Sequence, residues 1–127
     1  MKSKINAVAA FHKAFGLGIL QEPTANLGVA KNTLRFKLMQ EENEEYLEAA
    51  NEGDLVEVAD ALTDLLYVIY GAGHAFGIDL DECYLEVHRS NMSKLGEDGR
   101  PIKSESGKVL KGPDFFEPNL KDILVEA

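Results

Sequence analysis

The chain has 127 residues, with 22 Asp and Glu against 13 Lys and Arg and a formal net charge of −9 at pH 7. A chain of this length makes one domain, and its acidity argues against nucleic acid as a partner, because gripping a phosphate backbone calls for a basic surface. The single cysteine, Cys83, excludes an intrachain disulfide and fits a reducing compartment, while 45% hydrophobic and 28% charged residues describe a soluble globular protein.

Met1 to Asn6 lacks the unbroken apolar run of a signal peptide. The longest apolar stretch, Ala61 to Ile78, is interrupted by Asp64 and His74 and is short for a membrane span. A cytoplasmic protein without membrane contact is the expectation. In chain order, Ile5, Val8, Ala9, Phe11, His12 and Phe15 recur at helical spacing, and Gly16 closes that helix. Residues 17 to 29, with Gly18, Pro23, Asn26 and Gly28, read as a loop. A long helix is expected from Ala30 to Ala50, stopped by Asn51, Glu52 and Gly53. Asp54 is a good N-cap for a third helix, with Glu57 in capping-box position. That helix reaches Phe76 and ends at Gly77, and Asp79 caps a fourth that runs to Lys94. The segment from Glu97 to Lys111 reads as a hairpin around Ser106-Gly107. Gly112-Pro113 breaks the chain again, and Pro118 can start a short helix to Val125. The expectation is an all-α fold in one domain over 1–127. Its helical core is a four-helix bundle over 1–95, and 96–127 is a tail with a hairpin or loop.

The acids carry the chemistry. At 100° per residue, with Glu41 at zero, Leu34, Leu38 and Ala49 fall at about 20°, 60° and 80° on one apolar face. Glu45 and Glu42 fall on that face too, Glu41 lies at its edge, and Glu44 points away. On the third helix Glu57, Asp60 and Asp64 lie within about 60° of one another. A short turn between the helices brings the two sets together. A carboxylate on an apolar stripe costs several kcal/mol unless something pairs with it, and several together need a cation to stay ionised. Seen alone, a Glu run is a solvated helix face; the conjunction points to a hard divalent cation with oxygen ligands. An iron or manganese carboxylate centre would want a Glu-x-x-His pair, and His12, His74 and His88 have no Glu three residues before them.

The ordered set Glu41-Glu42-x-x-Glu45, Glu57-x-x-Asp60, and then Phe76-Gly-Ile-Asp followed by Val87 to Leu95 resembles the all-α nucleoside triphosphate pyrophosphatase superfamily. That group includes MazG-like proteins, dimeric dUTPases and phosphoribosyl-ATP pyrophosphatases. The resemblance implies a four-helix bundle of the MazG-like type and a cytoplasmic hydrolase of small-molecule nucleotides. It also implies two or three Mg²⁺ ions per site, with Mn²⁺ able to substitute. Glu42, Glu45, Glu57 and Asp60 would be metal ligands. Asp64 better fits the spacing to Gly77-Ile-Asp79, but Asp60 fits the Glu-x-x-Asp pairing and is preferred, with Asp64 backing a ligand or holding a third metal. Glu41 would be an accessory ligand or the base that orients water, and Asn91 and Lys94 would contact phosphate. His12 and Phe15 could wall the base pocket, and Lys108 and Lys111 could approach the outer phosphates. For each of these the plainer reading is core packing or solvated charge. The products would be a nucleoside monophosphate and pyrophosphate, with a pyrimidine deoxynucleotide the first guess, dUTP or another non-standard nucleotide, and house-cleaning the role. Alternatives are phosphoribosyl-ATP hydrolysis, or a non-catalytic helical protein that binds a cation or nucleotide. The third helix is apolar on almost every side, so a homodimer or homotetramer is expected.

Overall fold

The computed structural model describes residues 3–125 and is all-α apart from one pair of two-residue strands. It contains two compact units, one ending at Asp79 and the other beginning at Leu80. The division precedes the fourth helix, whereas the composition of the sequence changes near residue 96.

The first unit holds α1 (Ser3–Ala14), α2 (Val29–Glu52) and α3 (Leu55–Phe76). Of the three residues expected to stop α2, only Gly53 does so. It takes the left-handed conformation at φ 70°, and its N–H reaches the carbonyls of Ala49 and Ala50. Asn51 and Glu52 continue the helix, because neither is forced out of it in the way that glycine is invited out. Asp54 caps α3 as expected, its carboxylate accepting from Glu57 N–H at 3.1 Å. With so short a link the chain folds back, and α2 and α3 pack as an α-hairpin. Ala49, Ala61 and Ala72 are buried; small side chains let the backbones approach. Leu34, expected on the buried face, is instead 54% exposed, because it opens onto the cavity described below.

Helix α1 packs on α3 through Val8. His74 Nε2 donates to the Ile5 carbonyl at 2.9 Å, and the His12 and His74 rings lie 5.7 Å apart. The loop after α1 lies over the end of α3: Leu20 N–H bonds the His74 carbonyl at 2.9 Å and Thr24 N–H the Phe76 carbonyl at 2.8 Å. These donors satisfy acceptors that a helix end leaves open. Gly77 is what allows the loop to sit there, since it has φ +74° and a Cβ would overlap the Glu22 carbonyl. Gly77→Ala should therefore lower stability by at least about 2 kcal/mol, from left-handed strain plus overlap. Gly53→Ala, at φ +70° with open space around it, should cost only the strain. Denaturant unfolding of both variants checks this, and equal losses would contradict it.

The second unit holds α4 (Leu80–Met92), β1 (Ile102–Lys103), β2 (Val109–Leu110) and α5 (Leu120–Val125). Helix α4 ends two residues before Lys94, in a turn where Ser93 N–H bonds the Ser90 carbonyl at 3.0 Å. Ser90 Oγ donates to the Phe116 carbonyl at 2.8 Å, and Phe116 N–H donates to Ser93 Oγ at 3.2 Å. Arg89 lies 4.4 Å above the Phe116 ring. Glu86 accepts from both Arg89 and Asn119 N–H, which holds its carboxyl below the usual range. The strands pair Ile102 with Leu110 and Lys103 with Val109, Gly107 supplying the positive φ of the turn. Helix α5 is capped by Asn119, which accepts from Asp122 N–H at 3.4 Å, so Pro118 lies just outside it. Cys83 is buried on α4, in keeping with a packing role. No helix among the described residues is long and apolar enough to cross a membrane.

Candidate active site

The facing stripes of α2 and α3 bring the predicted acids together in the first unit. Glu42 is half-buried, and its Oε2 is enclosed without a hydrogen-bond partner. Its carboxyl is pushed up to about 7, first by burial, then by the neighbouring charges of Glu45, Asp64 and Glu41 and a hydrogen bond with Glu45. Like charges crowded away from water disfavour a further ionisation. Glu45 has a second set of neighbours. With Glu57 and Asp60 it lines a cavity of about 230 Å³, completed by Glu48, Glu52, Ala49 and Ala61. Thus Asp60, the preferred ligand, and Asp64, its alternative, belong to different parts of one acidic face, and Glu45 is common to both.

Glu48 and Glu52 were not singled out from the sequence. Their signal was present, since Glu45, Glu48 and Glu52 follow one another at i, i+3 and i+7 on one helix face. Among the described residues, no three His, Cys, Asp or Glu side chains stand close enough together to hold a metal ion as they are placed. The chemistry of the donor set nevertheless fits a hard divalent cation: all-oxygen ligands, more than one of them negative, and an enclosed carboxylate oxygen lacking a donor.

A second cavity, of about 290 Å³, lies farther along the same helix pair. It is lined by Leu17, Leu20, Leu27, Leu34 and Ala75, with His12, Lys31 and Arg35 supplying polarity. His12 is 4% exposed and its Nδ1 donates to the Gly18 carbonyl at 2.9 Å. Burial pushes the Arg35 guanidinium below its ordinary value. Of the two residues suggested as a base wall, only His12 lines this cavity. Phe15 stays 68% exposed, its ring 4.4 Å from Phe11, which meets Tyr67 edge-on. The helix turns Phe15 about 60° away from His12's direction, enough to leave it outside.

The remaining candidates lie in the second unit. Asn91 is exposed near the end of α4, and Lys94, half-buried, donates its backbone N–H to the Asn91 carbonyl at 3.1 Å. Lys111 is already engaged, 3.7 Å from Glu117 and 4.7 Å above the Phe115 ring. Lys108 is exposed, its backbone N–H bonded to Ser104 Oγ at 3.1 Å.

The model of the phosphoribosyl-ATP pyrophosphohydrolase family, PRA-PH, matches residues 8–91. The chain belongs to that family. The match takes in α2 and α3 and every acid of the site, and it stops before Lys94, Lys108 and Lys111. The chain is 32% identical over 120 residues to the uncharacterized protein L479 of Acanthamoeba polyphaga mimivirus, covering 92% of this chain. It spans 45% of that relative's length. Among solved structures it is similar to a candidate NTP pyrophosphohydrolase from Exiguobacterium sp. 255-15, at TM-score 0.55 and 26% identity over 97% of this chain and 94% of the other. Family and fold together place the chain in the all-α, MazG-like NTP pyrophosphohydrolase superfamily.

Proposed function

We propose that this PRA-PH domain is a Mg²⁺-dependent nucleoside triphosphate pyrophosphohydrolase that releases a nucleoside monophosphate and pyrophosphate, with Mn²⁺ able to replace Mg²⁺. The observation that carries the reading is Glu42, an enclosed carboxylate with an orphan oxygen amid Glu41, Glu45 and Asp64. Natural proteins rarely leave such a group without a partner, and a cation is the partner that all its neighbours share. Glu42, Glu45 and Asp64 would hold one ion and Glu45, Glu57 and Asp60 another. When bound, such ions neutralise phosphate charge and lower the pKa of bound water. Glu41, exposed at the edge of the set, would orient the attacking water and accept its proton, or serve as an accessory ligand. The enclosed side of Glu42 keeps bulk water from competing for its oxygens.

The substrate we propose first is a pyrimidine deoxynucleotide such as dUTP, in a house-cleaning role. The family match favours a second reading, phosphoribosyl-ATP. A panel of ribo- and deoxynucleoside triphosphates plus phosphoribosyl-ATP, with pyrophosphate release scored in Mg²⁺, separates them. Preferred hydrolysis of a pyrimidine triphosphate supports the first, and preferred hydrolysis of phosphoribosyl-ATP the second.

We also propose a homodimer or pair of dimers. Leu55, Leu62, Leu66 and Ile69 follow at i, i+7, i+11 and i+14 along α3, with exposure falling from 79% to 37%. On the helical wheel this stripe lies opposite Glu57, Asp60 and Asp64. An uncharged face lets an acidic chain meet its own copy without like-charge repulsion, and a two-fold contact needs a single self-complementary patch. The double change Leu62→Asp and Leu66→Asp should give a folded monomer by light scattering at micromolar concentration. A monomeric wild type would contradict the proposal.

A further inference from the structure

The cavity beside Arg35 is lined for recognition. Among the described residues, no carboxylate, amide or hydroxyl side chain lines it. Arg35 has neither an ion pair nor a side-chain hydrogen bond among the described residues, so its half-buried guanidinium presents donors to the cavity with nothing to receive them. His12 can be assigned more closely. A carbonyl only accepts, so the bond to Gly18 places a proton on Nδ1 and leaves Nε2 of the neutral ring as an acceptor. A Cβ on Gly71 would lie 3.0 Å from Arg35 Nη1 and 3.1 Å from His12 Nε2. The bare glycine thus leaves room for both the Arg35 donor and the His12 acceptor, and both residues line the cavity. Lys31 adds a further donor, and the leucines supply flat apolar surface.

Arg35 and Glu42 are seven residues apart on one face of α2, about 10 Å along the axis. Gly71 and Asp64 are likewise seven apart on α3. The donor-lined cavity and the acidic face are therefore two stations on one helix seam, spaced like the base and phosphate ends of a nucleotide.

We propose that this cavity receives the base of the substrate and that Arg35 is a specificity-determining residue selecting a pyrimidine with two ring carbonyls. The inference rests on the hydrolase reading for the position of the phosphates. Ring carbonyls accept from Arg35 and Lys31, and the N–H between them donates to His12 Nε2. An exocyclic amino group, as on cytosine or adenine, would face donors and leave both sides unpaired, the kind of mismatch that discriminates most strongly. A cavity of about 290 Å³ is at the small end for ligand sites, which suits one ring and not a purine carrying a second phosphorylated sugar.

The test is calorimetric binding of non-hydrolysable α,β-imido analogues of dUTP, dTTP, dCTP and dATP in Mg²⁺, alongside turnover of the natural triphosphates. Wild-type protein should bind the dUTP and dTTP analogues at least about tenfold more tightly than the other two. Arg35→Gln should erase that preference, while 2-deoxyribose 5-triphosphate, which lacks a base, binds both proteins equally. Gly71→Ala, whose methyl crowds Nη1 and Nε2, should narrow the preference as well and serves if Arg35→Gln does not fold. Equal binding of all four analogues, tighter binding of dCTP or dATP, or a preference that survives both changes would overturn the proposal. Absence of turnover with every triphosphate would defeat the hydrolase reading instead, whatever the binding order.

Discussion

Glu45→Gln and Asp60→Asn should each lower turnover by at least about a hundredfold, because losing a ligand misplaces the cation that neutralises charge in the transition state. Glu45 should be the more damaging, since it alone faces both Glu42 with Asp64 and Glu57 with Asp60. Neither change should unfold the protein. Both side chains are exposed, and removing a negative charge from an acidic face relieves repulsion. Steady-state kinetics with circular dichroism on each variant checks this, and near-normal turnover in both would refute the metal-site reading.

The second large effect is on stability in metal-free protein. Glu42 is raised from its ordinary 4.5 to about 7 in the folded state. Between those values the folded chain binds more protons than the unfolded one, so stability falls as pH rises through this window. Below it both states are protonated, and the full contribution is present. Glu42→Gln removes the titrating group and should flatten the profile, leaving the variant more stable than wild type at pH 8. Added Mg²⁺ should raise wild-type stability at pH 8 and do less for the variant, by linkage of ion binding to the folded state. Urea midpoints at pH 5 and pH 8 with EDTA report it; a wild type that gains stability over that range would contradict the assignment.

The same residues show what could be read from the sequence. The helices were legible because their ends carry local signals: Gly53 and Gly77 at left-handed caps, and Asp54 three residues before Glu57. Angular placement was enough to set Glu42 on the inner side of α2, but not to tell that one of its oxygens is enclosed and orphaned, which depends on the packing of α3. The fate of Leu34 and Phe15 was not legible for a similar reason. Helical phase alone allows Leu34 to be buried, yet it opens onto the cavity formed with the loop from Leu17 to Gly28, while Phe15 follows the last residue of α1 and pairs with Phe11 instead. Arg35 and Lys31 gave no signal at all, since i,i+4 cations on a helix are ordinary surface residues. The place of Arg35 depends on the room left at Gly71, thirty-six residues away, and the cavity both cations line is closed by the turn that carries Gly18 to His12.

The most direct test of the account is product identification by ³¹P NMR with wild-type protein and a nucleoside triphosphate, with Mg²⁺ and again with excess EDTA. Equimolar nucleoside monophosphate and pyrophosphate are expected with Mg²⁺, and no reaction with EDTA. Diphosphate with orthophosphate, or the same rate in EDTA, would contradict it.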